Sequence, residues 1–368
     1  MRRGFERAAL AIAVLLAVAS TVQAYPQFQL SQAGGETCGR CHISPAGGGL
    51  LDDMGRFVAE DTAATEGDAA FLHGAIELPS WLAVGGNVRG ALGGRDGGFG
   101  AGFATVPMQA EVLVGARRGP VIGVVSLGFP GISREHYVMY RPQTDGVYAR
   151  LGRFQPVYGL RLAEHALYTR RYGGSPLGGE AYGASVGYVS EKLDAHVTGF
   201  VRDPLAGDVP LHSSVEFGSG GSAYVEARVR SNVAVGVQGR AAWADLDSRW
   251  HGGITGKLWL SGPQLLFQAE GSLIRHRVNA GDVRRIGAVG TAVVTRFFPK
   301  AIAADLALGH YSPDVSFAKS ALDALDLNVR WRWTPHIEFY WMNRVATVGL
   351  GDGGATSWWS LVQAHYRL

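Results

Sequence analysis

Only two cysteines occur in 368 residues, Cys38 and Cys41. A disulfide framework, the usual staple of small exported domains, is therefore excluded for everything that follows them. Beyond the first 24 residues no apolar run is long enough for a membrane-spanning helix. The formal net charge is only +3, too mild an excess to recruit nucleic acid. No acid–base constellation stands out that would serve a conventional catalytic centre. What is abundant is glycine, at 53 residues, with 9 tryptophans, 13 tyrosines and a hydrophobic content of 47%. High apolar content without long apolar runs requires alternation, and alternation means strands.

The alternation is visible from about Trp81 onward. Val233, Val235, Val237, Gly239, Ala241 and Trp243 interleave with Gln238 and Arg240. Leu325, Leu327, Val329, Trp331 and Trp333 interleave with Asp326, Asn328, Arg330 and Arg332. A strand with one oily and one charged face suits either a soluble sandwich or a membrane barrel. Three features favour the barrel. The strands are about ten residues long, as a tilted membrane strand requires. Tryptophans (Trp243, Trp250, Trp333, Trp358) stand near strand ends, where an interfacial girdle belongs. Connections alternate between tight turns such as "RRG", "SEK" and "TPH" and longer loops. The reading is an all-β, antiparallel outer-membrane barrel of about sixteen strands over residues 81–368, the first near 82–92 and the last at 356–368. Short turns face the periplasm in such barrels.

Residues 1–24 read as a secretory signal: Arg2, Arg3 and Arg7, an apolar stretch from Ala8 to Ser20, then Val22-Gln23-Ala24 before a mature start at Tyr25. Between signal and barrel lie residues 25–80, too few for a stable core without a staple. Within them Leu50, Leu51, Met54, Phe57 and Val58 are spaced as one apolar helical face.

Cys38-Gly39-Arg40-Cys41-His42 matches the c-type haem attachment pattern. Two thiols two residues apart reach the two vinyl groups on one porphyrin edge, and His42 then offers its imidazole to the iron as proximal ligand. A redox dithiol has no use for His42, a zinc site needs further ligands, and a plain disulfide explains neither the histidine nor the exclusive cysteine usage. One covalent haem c is thus the expected cofactor. Met54 and His73 are the nearby candidates for the distal ligand; a methionine on an apolar face already has a packing role, so His73 is preferred. A wall histidine and an open sixth position are the other possibilities.

The stretch Arg150–Gly174, with Arg153, Arg161, Arg170, Arg171, Glu164 and His165, is the longest charged loop region. It is either a constriction folded into the lumen or a solvated surface loop.

The pattern resembles the outer-membrane porin–cytochrome fusions, best known from iron-oxidising bacteria, in which a single-haem segment precedes a sixteen-stranded barrel. The resemblance rests on the signal, Cys38, Cys41, His42, the "MGRF" that follows, and a barrel filling the rest. The glycine run in "ISPAGGGLLDDMGRF" departs from the iron-oxidase pattern, so iron is not assigned as substrate. The resemblance implies an electron conduit rather than a conventional enzyme, with an extracellular metal oxidase or reductase as one form of it. It also implies a haem segment plugging the lumen, an extracellular redox substrate, periplasmic cytochromes as partners and outer-membrane lipid around the wall. The alternative is an anion-leaning solute porin whose haem segment is structural or gating.

Overall fold

A computed structural model describes residues 30, 37–61, 63–97, 102–129, 133–162, 166–174, 179–203, 218–278, 283–349 and 355–368. The signal segment 1–24, Glu164 and His165 lie outside the described residues.

The strands run β1 (Leu82–Gly97), β2 (Gly102–Arg118), β3 (Val121–Phe129), β4 (His136–Tyr140), β5 (Gly146–Phe154) and β6 (Ala181–Val189). They continue as β7 (Leu193–Val201), β8 (Ser219–Arg230), β9 (Val233–Trp243), β10 (Asp247–Leu260) and β11 (Leu265–Val278). The last are β12 (Val283–Phe298), β13 (Ile302–Ser312), β14 (Leu322–Arg332), β15 (Ile337–Val348) and β16 (Thr356–Arg367). Each strand pairs antiparallel with its chain neighbours, and β1 pairs with β16 from Asn87↔Arg367 to Gly97↔Ser357. The sheet is a closed barrel, so no strand edge is left to aggregate. β1 runs on to Gly97, past its expected end at 92, because the glycine-rich stretch stays paired with β16.

The distribution of side chains inverts that of a soluble sandwich. On β9, Gln238 and Arg240 are buried while Val235 and Val237 are exposed. Asp194, Glu226, Lys257, Glu270, Asp326 and Arg344 are likewise buried. Val197, Val225, Ile254, Leu273, Leu308 and Leu325 face outward and exposed. Charge inside and a continuous apolar exterior is the arrangement a lipid solvent selects. Trp243, Trp250 and Trp358 stand exposed near one end of the wall and Trp331 and Trp333 near the other, as two aromatic girdles would.

One sector of the inner wall is different. Leu113 on β2, Ile122 and Val124 on β3, Met139 on β4 and Tyr148 on β5 point inward and are buried. They are covered by Ile43 and Leu50, which enter the barrel from the N-terminal segment. That is why β3 reads "VIGVV" with little alternation: lipid lies on one face and the N-terminal segment on the other. Leu30 is buried at the same end of the barrel, against Trp259, Leu266 and Phe297.

Candidate functional site

The segment inside the barrel is built around the cysteine cluster. Cys38–Cys41 form a single helical turn, α1, closed by the His42 amide donating to the Cys38 carbonyl at 2.9 Å. A spacing of three residues on a helical turn sets both thiols on one side. His42 leaves the turn extended and pairs with Leu51. The Ile43 amide donates to Leu50 (3.0 Å) and the Asp52 amide to Cys41 (3.1 Å), making a small hairpin. Gly47, Gly48 and Gly49 all take positive φ at its tip, which explains the glycine run as a left-handed turn that side chains would strain. Asp52 then caps the next helix, α2 (Asp53–Asp61), by accepting the Gly55 amide at 3.0 Å.

Two close approaches fix the cluster in place. α1 lies against the tight turn between β4 and β5, where a Cβ on Gly39 would meet the Thr144 carbonyl at 2.8 Å. α2 lies on α1, where a Cβ on Gly55 would stand 2.0 Å from the Cys41 carbonyl. The "MGRF" glycine is therefore a contact residue of the cysteine turn.

Arg141, at the start of that tight turn, holds the segment by its backbone. Its guanidinium donates to the carbonyls of Ile43 (2.8 Å), His42 (3.2 Å) and Gly39, and to Thr144 (2.9 Å) in its own turn. Thr37 donates to Asp145 (2.5 Å), and Arg40 pairs with Asp145 (3.1 Å) and Glu191 (3.3 Å) on adjacent short turns. Sequence reasoning did not single out Arg141. The only local signal is an arginine before Pro142 in a turn too short to be a loop, and nothing in that says what it grips.

Burial pushes the Cys38 thiol up, more than the Arg161 guanidinium beside it draws it down, so the cysteine is protonated and poorly suited to thiol–disulfide exchange. Cys38 and Cys41 are not joined by a disulfide. Burial, with Arg161, lowers His42 to about 4, which leaves its imidazole neutral at physiological pH. Its Nδ1 is buried without a hydrogen-bond partner among the described residues. Two thiols on one side of a turn and a neutral, incompletely satisfied imidazole directly behind them fit the donor set of a c-type haem. Among the described residues no group of three or more His, Cys, Asp or Glu is arranged to hold a metal ion, which the zinc reading requires.

The long connection after β5 lies inside the barrel, on top of this segment. Arg161 donates to the Ala46 carbonyl at 2.9 Å and pairs with Asp194 on β7. Further along, the Leu160 amide donates to Glu270 on β11 (2.9 Å), and Thr169 hydrogen-bonds to Thr291 on β12 (3.2 Å). Arg344 on β15 donates to the Ala166 carbonyl (2.8 Å). Helix α3 (Tyr168–Tyr172) ends with Tyr172 stacked on Tyr311 of β13 at 4.1 Å. The connection thus crosses the lumen from one wall to the other. The solvated-loop alternative is overturned: Tyr158, Leu160, Leu167 and Tyr168 are buried, because the opposite wall supplies both polar and aromatic partners.

Met54 and His73, the two distal-ligand candidates, lie on α2 and in a 3-10 turn further along the chain. The expected apolar face is not one face. Leu50 belongs to the hairpin and is buried, whereas Met54 and Phe57 are 48% and 57% exposed on the outer side of α2. The helix starts only at Asp53, so Leu50 and Leu51 do not share its periodicity. His73 sits in a 3-10 turn (Phe71–Gly74) at the barrel rim, its ring 4.1 Å from that of His336 and its Nε2 3.2 Å from the Tyr366 hydroxyl. The His73 imidazole is thus engaged at the rim by Tyr366 and His336.

No established protein family matches the sequence, and no curated protein is a detectable relative. Solved structures do match the fold. OmpT of Vibrio cholerae aligns with TM-score 0.62 at 12% identity, over 80% of this chain and 100% of that one. An anion-selective porin from Comamonas acidovorans gives 0.57 at 10%, over 78% and 99%. OprB of Pseudomonas putida gives 0.58 at 9%, over 78% and 94%. At such identities the likeness speaks for the fold alone: the chain folds as an outer-membrane porin-type barrel.

Proposed function

We propose that this chain is an outer-membrane electron conduit, a porin-type barrel whose lumen carries one c-type haem on the Cys38–His42 turn. The observation that carries the reading is the seat of that turn: inside the barrel, walled from lipid, with the His42 imidazole directly behind two thiols. Cys38 and Cys41 would hold the group covalently and His42 would ligate its iron. When bound, the group supplies a reversible one-electron iron couple. The work of the chain's own residues is positional. Arg141 fixes the backbone of the turn, Ile43 and Leu50 seat it on the apolar wall, and Arg161 ties it to the lumen connection. Export by residues 1–24, a periplasmic carrier on the short-turn side and an extracellular redox substrate on the other belong to the same proposal.

A second reading is favoured by the porin likeness and by the arginines of the lumen connection: an anion-leaning solute pore in which the N-terminal segment gates. One experiment separates the two. The protein is expressed with a cytochrome c maturation system and reconstituted in liposomes that enclose a redox dye. The conduit requires covalent haem in the outer-membrane fraction, lost in Cys38→Ala/Cys41→Ala, and dye reduction that depends on it. Solute leakage without haem-dependent dye reduction would establish the pore instead.

A further inference from the structure

The helix that covers the cysteine turn shows its apolar side chains to the outside. α2 buries Gly55 on the Cys41 carbonyl, and the opposite stripe carries Asp53, Met54, Phe57, Glu60 and Asp61. These five positions follow a helical spacing of three and four residues and all are exposed. Apolar tips in the middle and carboxylates at both ends make a small patch with a sign. The sign extends beyond the helix. From Asp52 to Ser80 the sequence holds seven carboxylates and a single arginine, Arg56, in a chain whose overall charge is +3. Glu66, Asp68 and Glu77 of this stretch are exposed as well. Arg56 is itself drawn to Asp53.

We propose that the outward stripe of α2 is the docking surface for a soluble, basic electron-carrier protein at the short-turn mouth of the barrel. The proposal rests on the conduit reading and adds the surface and its charge. Charge complementarity selects the occupant: carboxylates steer a cationic partner and repel both an acidic protein and an anionic lipid surface. The location excludes a role in lipid contact, because α2 packs on a turn held within the barrel and not on the outer wall. The size suits a transient encounter. Electron-transfer pairs bury less than about 1,200 Å² and dissociate quickly, with a few apolar contacts inside a ring of charge. Through Gly55 the stripe stands one helix thickness from Cys41, so a carrier seated there is one helix thickness from the haem-attachment turn.

The test uses the full-length protein in lipid nanodiscs. The probe is a lysine-rich soluble monohaem cytochrome c, with an acidic cytochrome of similar size beside it. Binding of the basic probe is expected at low salt, weakening steeply as ionic strength rises. Glu60→Lys/Asp61→Lys should slow association by about tenfold, and Met54→Ser/Phe57→Ser should speed dissociation by a similar factor of about ten. All four substitutions point outward, and unchanged covalent haem content and heat-modifiable mobility confirm intact folding. Equal binding of the acidic probe, or indifference to both double substitutions, overturns the proposal. Self-association of the protein abolished by the same substitutions overturns it in favour of a second copy of this chain. Haem staining keeps the two ideas separable: haem without carrier binding refutes the docking surface and leaves the conduit, and carrier binding without haem does the reverse.

Discussion

The wall and the segment inside it are held by different physics. The wall is closed by backbone pairing, strand to neighbouring strand, with β1 on β16 completing the circle. Its side chains are free to answer to lipid on one face and to the lumen on the other. The inner segment has no such ladder. One short hairpin and two short helices are its regular structure among the described residues up to the 3-10 turn at Phe71. It is held by side chains reaching in from the wall: Arg141 on three of its carbonyls, Asp145 on Thr37 and Arg40, Arg161 on Ala46. The lesson is that a strand-built container is closed by its backbone ladder, whereas its content depends on a few long polar side chains and on glycines that permit close approach.

That difference gives the predictions. The largest effect belongs to Arg141→Ala, which strips charged donors from the carbonyls of Gly39, His42 and Ile43. Hydrogen bonds to a charged group are worth about 1.5–3 kcal/mol each, and bonds sharing one guanidinium are less than additive, so the segment should lose about 3–5 kcal/mol of docking free energy. Limited proteolysis should then cut within residues 37–61 while the barrel keeps its heat-modifiable migration. If that segment stays protected, the guanidinium is not its anchor.

Next comes Ile254→Arg, on the outer face in mid-strand. A cation at the bilayer midplane costs about 2–4 kcal/mol. Urea unfolding in lipid vesicles should shift for the barrel and leave the protease sensitivity of the inner segment alone. A simultaneous loss of both would mean that the two regions fold as one unit.

Gly39→Ala should cost the inner segment about 1–3 kcal/mol, since its methyl group meets the Thr144 carbonyl and Arg141. Its measurable signature is protease sensitivity within residues 37–61 and, on the conduit proposal, a reduced yield of covalent haem, from a barrel that inserts normally. The smallest change is Trp333→Phe, which removes the indole donor to Glu66 (3.0 Å) at the rim and should cost under about 1 kcal/mol. Hydrogen exchange of residues 63–70 would register it, with no change in the cysteine turn.

Parts of this arrangement were legible beforehand. Val235, Gln238 and Arg240 announce opposite faces by their period of two, and the period survives folding because a barrel strand meets one environment on each face. The lapse of alternation in "VIGVV" of β3 was the one local sign that part of the inner wall is apolar, and thus covered. The apolar set on α2 misled, because Leu50 and Met54 fall at helical spacing while a hairpin and a cap separate them. The lumen position of the long connection was open, since Tyr158, Leu160 and Tyr168 declare burial only when a second wall stands opposite.

The sequence by itself determined the strands, their approximate number, the oily and charged faces and the Cys-x-x-Cys-His motif. All of these follow from local periodicity and short-range stereochemistry, which residues a few positions apart encode. Only the tertiary structure decided that this turn lies inside the barrel, that Arg141 grips it across a separation of about a hundred residues, and that Met54 and Phe57 face outward. Those outcomes depend on which surfaces closure of the sheet brings together, and no local pattern carries that information.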